Sequence, residues 1–198
     1  MIYFFVEGPD DRDFIDRLLK PMLGKGVGGV LAITYAKGGI KAERYLRSQQ
    51  CSSYICLGDK DDRECFTVAR TYIRRIVGLE IEDSRVVIVS KSIESWYLAG
   101  ADHEMCKKYG IRYEQSVDNI NKGIFKSYCS KAELLHRQLV QNLTESYCFE
   151  TALSRSSSLR YLFAKILPEH KLACARQQCA TRKGRPQKGL CGQGCVVS

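Results

Sequence analysis

The chain of 198 residues contains no apolar run near the roughly 20 residues that cross a bilayer, so no membrane span is expected. No basic segment precedes the apolar start Met1-Ile2-Tyr3-Phe4-Phe5-Val6, and acids follow it directly. A secretory leader is therefore not expected, and the run reads as a first strand. The ten cysteines lack paired C-x-x-C spacing. A zinc knuckle is disfavoured for Cys174, Cys179, Cys191 and Cys195 with His170, and the default setting is a reducing cytosol with free thiols. Cys195-Val196-Val197-Ser198 matches a prenylation box, but four-letter matches arise by chance. The three histidines, His103, His136 and His170, stand apart from every strand-end motif, which leaves triad catalysis without support. No acid occurs after Lys171, whereas Lys171, Arg176, Arg182, Lys183, Arg185 and Lys188 do. The tail thus carries six of the nine net positive charges, and the body of the chain is only mildly basic.

What is present is an alternation of short β-branched runs and amphipathic stretches, the pattern of βαβ units in a parallel sheet. Strands are expected at Ile2 to Val6, Val30 to Tyr35, Tyr54 to Leu57 and Arg85 to Val89. Phe14, Ile15, Leu18 and Leu19 mark one helical face, with further helices near Ile40 to Arg47 and Phe66 to Val77. From Ser95 to Ala99, and again from Lys131 to Leu167, the chain reads as helical. Leu134, Leu135, Leu139 and Leu143 form one apolar stripe there, and the Ser156-Ser157-Ser158 run is a helix start ended by Pro168. The expected organisation is an α/β unit over 1–100, a helical extension or cap over 101–168, and a basic, cysteine-containing tail over 169–198 without apolar periodicity. There is no internal repeat.

The strongest chemical signal is acidic. Val6-Glu7-Gly8-Pro9-Asp10-Asp11 lies where a buried strand turns into a helix, and Tyr54-Ile55-Cys56-Leu57-Gly58-Asp59-Lys60-Asp61-Asp62 follows a second strand. Ligands of open α/β sheets collect at such carboxyl ends, so Glu7, Asp11, Asp59 and Asp61 are expected to share one crevice. Like charges so gathered repel unless cations neutralise them or some of the groups protonate. Oxygen-only ligation suits Mg²⁺ or Mn²⁺, and phosphodiester cleavage is the matching reaction class. Taken singly, each acid can instead cap a helix; Asp62 is assigned that role.

These motifs resemble the Toprim domain of topoisomerases, DnaG-type primases and OLD-family nucleases, and are most similar to OLD-like and small stand-alone Toprim proteins. The resemblance covers about 100 residues well and about 65 more loosely. It implies a Toprim-like parallel sheet with Glu7, Asp59 and Asp61 as catalytic metal ligands, Glu7 also moving a proton, and Asp11 as a further ligand. Glu-Ser-Trp-x-Leu-Ala at Glu94 to Ala99 and the Ser-Arg-Ser-Ser-Ser-Leu-Arg segment at 154–160 also resemble small Toprim-like proteins. Glu94 is thereby a fifth metal ligand, or else a helix N-terminal acid above a core Trp96.

Lys37 in Ala36-Lys37-Gly38-Gly39-Ile40-Lys41, at a strand-to-helix turn that is no P-loop, is a phosphate contact or an ordinary turn residue. Lys60 and Lys91 are nucleic-acid contacts or solvated charges, and Lys122, Lys126, Arg155 and Arg160 can extend a backbone-binding surface. The leading expectation is a cytoplasmic, Mg²⁺- or Mn²⁺-dependent nuclease acting on DNA or RNA, with a separate ATPase or other protein as possible partner. The alternative is a nucleic-acid or nucleotide binding or regulatory module that retains the metal site without turnover. Nucleotidyl transfer is a third reading, for which the chain is short.

Overall fold

The computed structural model describes residues 1–23, 29–35, 53–77 and 81–166. The expected helix at 40–47, Lys37 and its turn, Pro168 and the cysteine-bearing tail lie outside the described residues. Four strands, β1 (Ile2–Val6), β2 (Val30–Thr34), β3 (Tyr54–Asp59) and β4 (Val86–Val89), form one parallel sheet in the order β2-β1-β3-β4. β1 is central and every residue in it is buried, which explains why it reads as a continuous apolar run rather than an alternating one. The chain passes from β1 to β2 on one side, then returns to place β3 on the other. The strand order therefore reverses between β1 and β3, and a crevice opens outside their carboxyl ends.

Among the described residues, the two faces of the sheet are covered unequally. One carries α3 (Phe66–Val77), whose Ala69, Ile73 and Val77 recur every fourth residue and pack on Phe5, Cys56, Val86 and Ile88. Among the described residues, the opposite face carries the remaining helices. α1 (Pro9–Phe14) runs through a π-helical turn at Ile15–Leu19 into α2 (Lys20–Leu23), burying the expected face of Phe14, Ile15, Leu18 and Leu19. Over it lie α4 (Glu94–Ala99), α5 (His103–Lys108), α6 (Lys122–Lys131), α7 (His136–Glu145), α8 (Phe149–Arg155) and α9 (Ser157–Ile166). One apolar cluster runs without a break from Ile2 to Phe163. Phe14 is its hinge, with ring centroids 5.3 Å from Trp96, 5.2 Å from Tyr97 and 5.9 Å from Tyr147.

Several local expectations resolve at this level. β3 continues two residues past the expected end, so Asp59 belongs to the strand itself. Gly58 permits this: a Cβ there would lie 2.3 Å from the Ile73 side chain and 2.7 Å from the Tyr35 hydroxyl, which donates to the Leu57 carbonyl at 3.1 Å. Ser156 starts α9 as expected, its hydroxyl accepting from the Leu159 amide at 3.3 Å. The leucine stripe is corrected at one position, since Leu135 precedes α7 and is 72% exposed while Leu139 and Leu143 are buried. Asp62 is no helix cap. It lies in an exposed turn ahead of α3, 3.9 Å from Lys91.

Arg155 is likewise no surface cation. It is 4% exposed, and its Nη1 donates to the carbonyls of Leu98 (2.9 Å), Ala99 (3.2 Å) and Ala101 (2.6 Å), with Nε donating to Glu114 (2.8 Å). The guanidinium thereby ties carbonyls at and just past the end of α4, where helical partners run out, to that of Glu114. Ser158 adds a second tie from the late chain, its hydroxyl accepting from Trp96 Nε1 at 2.9 Å and from the Ser90 amide at 3.3 Å.

Candidate metal centre

The parallel register puts Asp59 beside Val89 and, through Leu57, on the face occupied by α1 and the C-terminal helices. Asp11 reaches the same crevice from the first turn of α1. One of its oxygens, Oδ2, accepts from the Gly8 amide at 2.9 Å, so Asp11 does organise the helix start. The other, Oδ1, is buried without a partner, and so is Oδ1 of Asp59. Asp11 and Asp59 are 4% and 3% exposed. Burial pushes both carboxyls well above the usual carboxylate range. Glu7 adds to the rise at Asp11, and Asp11 adds to it at Asp59. The same field acts on Tyr35, whose hydroxyl is raised by burial and then by Glu7, Asp11 and Asp59.

One cation answers these charges. Lys122, the first residue of α6, holds Nζ 3.2 Å from Asp59 Oδ2 and 3.8 Å from Asp61 Oδ1. Burial pulls its ammonium down, but Asp59, Asp61 and Glu94 together outweigh that and hold it above its ordinary value. Asp61 is also met by Arg63 at 3.1 Å and sits in the left-handed region at φ +50°, a conformation acidic side chains adopt more readily than most. The turn is secured by the Lys60 and Asp61 amides, which donate to Val89 and Lys91 at 2.9 Å each. Lys60 itself donates to the Arg63 carbonyl, and Lys91 faces Asp62.

Glu94 opens α4 just past β4 and is 3% exposed, with Oε2 unpartnered, as are the buried hydroxyls of Ser92 and Ser95. Its Oε1 lies 3.6 Å from His136 Nε2. The expectation that the histidines stand apart from strand-end chemistry is thus corrected for His136. Among the described residues, the ligand atoms that all lie within 4.8 Å of one another belong to Asp10, Glu94 and His136. The expected set of Glu7, Asp11, Asp59 and Asp61 forms no such group among the described residues: Asp59 and Asp61 face Lys122, and Asp11 and Glu7 act on Asp59 by their charge. His136 escaped sequence reasoning, and Lys122 was expected only on a backbone-binding surface, because both open helices far along the chain, where no spacing ties them to the strand ends.

The Asp10, Glu94 and His136 group is close enough to hold a metal ion. Buried carboxylate oxygens without hydrogen-bond partners are costly, and hard cations are what neutralise them. No helix among the described residues is long and apolar enough to cross a membrane.

No family model matches the chain, and no curated protein does. Among solved structures, the C-terminal region of the Burkholderia pseudomallei OLD protein is similar over 84% of this chain and 96% of that one, with a TM-score of 0.48 and 16% identity.

Proposed function

We propose that the chain is a Toprim-like phosphodiesterase that cleaves DNA or RNA with Mg²⁺ or Mn²⁺ held by Glu7, Asp11, Asp59 and Asp61. The observation that carries this reading is the pair of unpartnered buried oxygens on Asp11 and Asp59 at the switch point of a parallel sheet. A divalent ion there supplies a Lewis acid for a phosphoryl oxygen and lowers the pKa of an attacking water. Asp59 and Asp11 are held rigidly by β3 and α1, so they are ligands that need little reordering. Glu7, at the more open mouth of the crevice, takes a proton from the nucleophile. Lys122, on a long stem more than half exposed, can swing from Asp59 to a scissile phosphate and neutralise charge as it develops there. Lys60 and Lys91 flank the same turn and steer the backbone of the substrate.

A non-catalytic binding module is the second reading. It is favoured by one observation, that Lys122 and Arg63 already pair with Asp59 and Asp61. Labelled single- and double-stranded DNA and RNA, incubated with Mg²⁺ or Mn²⁺, decide between the two. Cleavage by the wild type should fall by two or more orders of magnitude in Glu7→Gln and Asp59→Asn, roughly the loss when a charge-stabilising group leaves an active site. Metal binding without cleavage of any substrate would hand the chain to the module reading.

A further inference from the structure

Beyond that reading, and independent of it, we infer that Asp10, Glu94 and His136 form a separate binding site for a transition-type divalent cation such as Mn²⁺ or Zn²⁺. The three side chains open three different helices, α1, α4 and α7, that converge on one cavity of about 610 Å³ lined also by Lys126, Cys129, Glu133 and Lys122, whose ammonium is turned to Asp59 at 3.2 Å. Their ligand atoms fall within 4.8 Å of one another. Tyr97 fixes the α1 side of the site by donating to the Asp10 carbonyl at 2.8 Å. Phe125 fixes the other side, its ring centroid 5.1 Å from that of His136.

The separation of His136 Nε2 from Glu94 Oε1 is 3.6 Å, too long for a hydrogen bond. It matches two donors on one ion, since ligands roughly 2.1 Å from a tetrahedral centre stand about 3.4 Å apart. A simple ion pair would leave the second Glu94 oxygen buried and unpartnered beside the cavity, as it is found. A bound cation removes that cost. Imidazole with two carboxylates selects against Mg²⁺ and Ca²⁺, which prefer oxygen alone. Three protein donors beside an open cavity also leave a position for an exchangeable fourth ligand, as in catalytic rather than structural zinc sites. The site therefore takes Glu94 away from the strand-edge carboxylates and joins it to Asp10, which the first acidic motif contains, and to His136, which neither motif contains.

Pulsed electron paramagnetic resonance of the full chain with Mn²⁺ tests this without any substrate. The wild type should show the nitrogen modulation of a directly bound imidazole, and Glu7→Gln and Asp59→Asn should keep it. His136→Gln should abolish the modulation while retaining the Mn²⁺ bound at the strand edge, with circular dichroism unchanged. Asp10→Asn, on an exposed side chain that leaves the core intact, should weaken the nitrogen-coupled Mn²⁺ by at least about tenfold, the lower end of what loss of even an outer partner costs. Absence of nitrogen modulation in the wild type, or its survival in His136→Gln, overturns the site. Loss of cleavage in Glu7→Gln with the modulation intact would leave the inference standing, whereas modulation lost in Glu7→Gln would overturn the separateness of the two sites.

Discussion

Two groups of buried charge lie on the same side of the sheet and are treated in opposite ways. Arg155 is enclosed but satisfied, its guanidinium sharing four hydrogen bonds with backbone carbonyls. Asp11 and Asp59 are as deeply enclosed, and each keeps an oxygen with no partner. A satisfied buried charge is a structural device; an unsatisfied one is a stored cost that folding tolerates where a ligand will later relieve it. The contrast separates two ions of similar burial into scaffold and site.

The largest effect should come from breaking the scaffold. Arg155→Met strands the end of α4 and should destabilise the fold by about 3 kcal/mol or more, since each buried acceptor left unmade costs roughly 1–3 kcal/mol. Arg155→Lys, which keeps the charge and loses the fork, should recover only part of that. Denaturant midpoints of the three proteins measure it, and a Met variant as stable as the wild type would erase the contrast.

At the site the sign should reverse. With chelator present, Asp59→Asn should stabilise the protein at pH 8 by an amount on the order of 1 kcal/mol, because a carboxylate that burial disfavours is replaced by a neutral isostere. The pH dependence follows. Both aspartates bind their protons more tightly in the folded than in the unfolded chain, raised from 3.8 to about 7 for Asp11 and about 8 for Asp59. Their contribution to stability is complete below about pH 4 and is lost as pH rises through 7 to 8. Melting temperature in chelator should fall across that window, less so in Asp59→Asn, and Mg²⁺ or Mn²⁺ should restore it. A melting temperature that climbs over the same range would contradict the burial argument.

The smallest effect should come from Lys122→Met. The ammonium is 58% exposed, so solvent screens most of its attraction and stability should change little. Removal of a competing cation should tighten Mg²⁺ binding by roughly two- to fivefold, while cleavage declines. Calorimetric titration beside a cleavage assay separates the two. A variant that binds metal more weakly would mean that Lys122 organises the carboxylates instead of competing for them.

The strands were legible because burial on both faces leaves an uninterrupted apolar run, as in Val86 to Val89. Glu7 and Asp11 followed from the position of the first strand. Asp59 was legible as a residue but not as part of β3, because Gly58 reads as a turn until Tyr35 and Ile73 are seen pressing on it. Arg155 read as surface because a cation among serines gives no sign of the carbonyls it will meet across more than fifty residues. His136, and the pairing of Lys122 with Asp59, were hidden for the same reason: helix periodicity reports which face is apolar, not which crevice the first residue of the helix will overhang.

The Tyr97 bond to Asp10 spans 87 residues, that of Ser158 to Trp96 spans 62, and those of Arg155 to α4 span 54 to 57. Contacts so distant along the chain close loops whose entropy must be met before they return anything, which places them late in folding. The late helices that close over Asp59 should therefore arrive after the barrier is crossed, which folding and unfolding rates of Asp59→Asn measure. The repulsion between the two acids should be felt almost wholly in how fast the native chain comes apart, and hardly in how fast it forms.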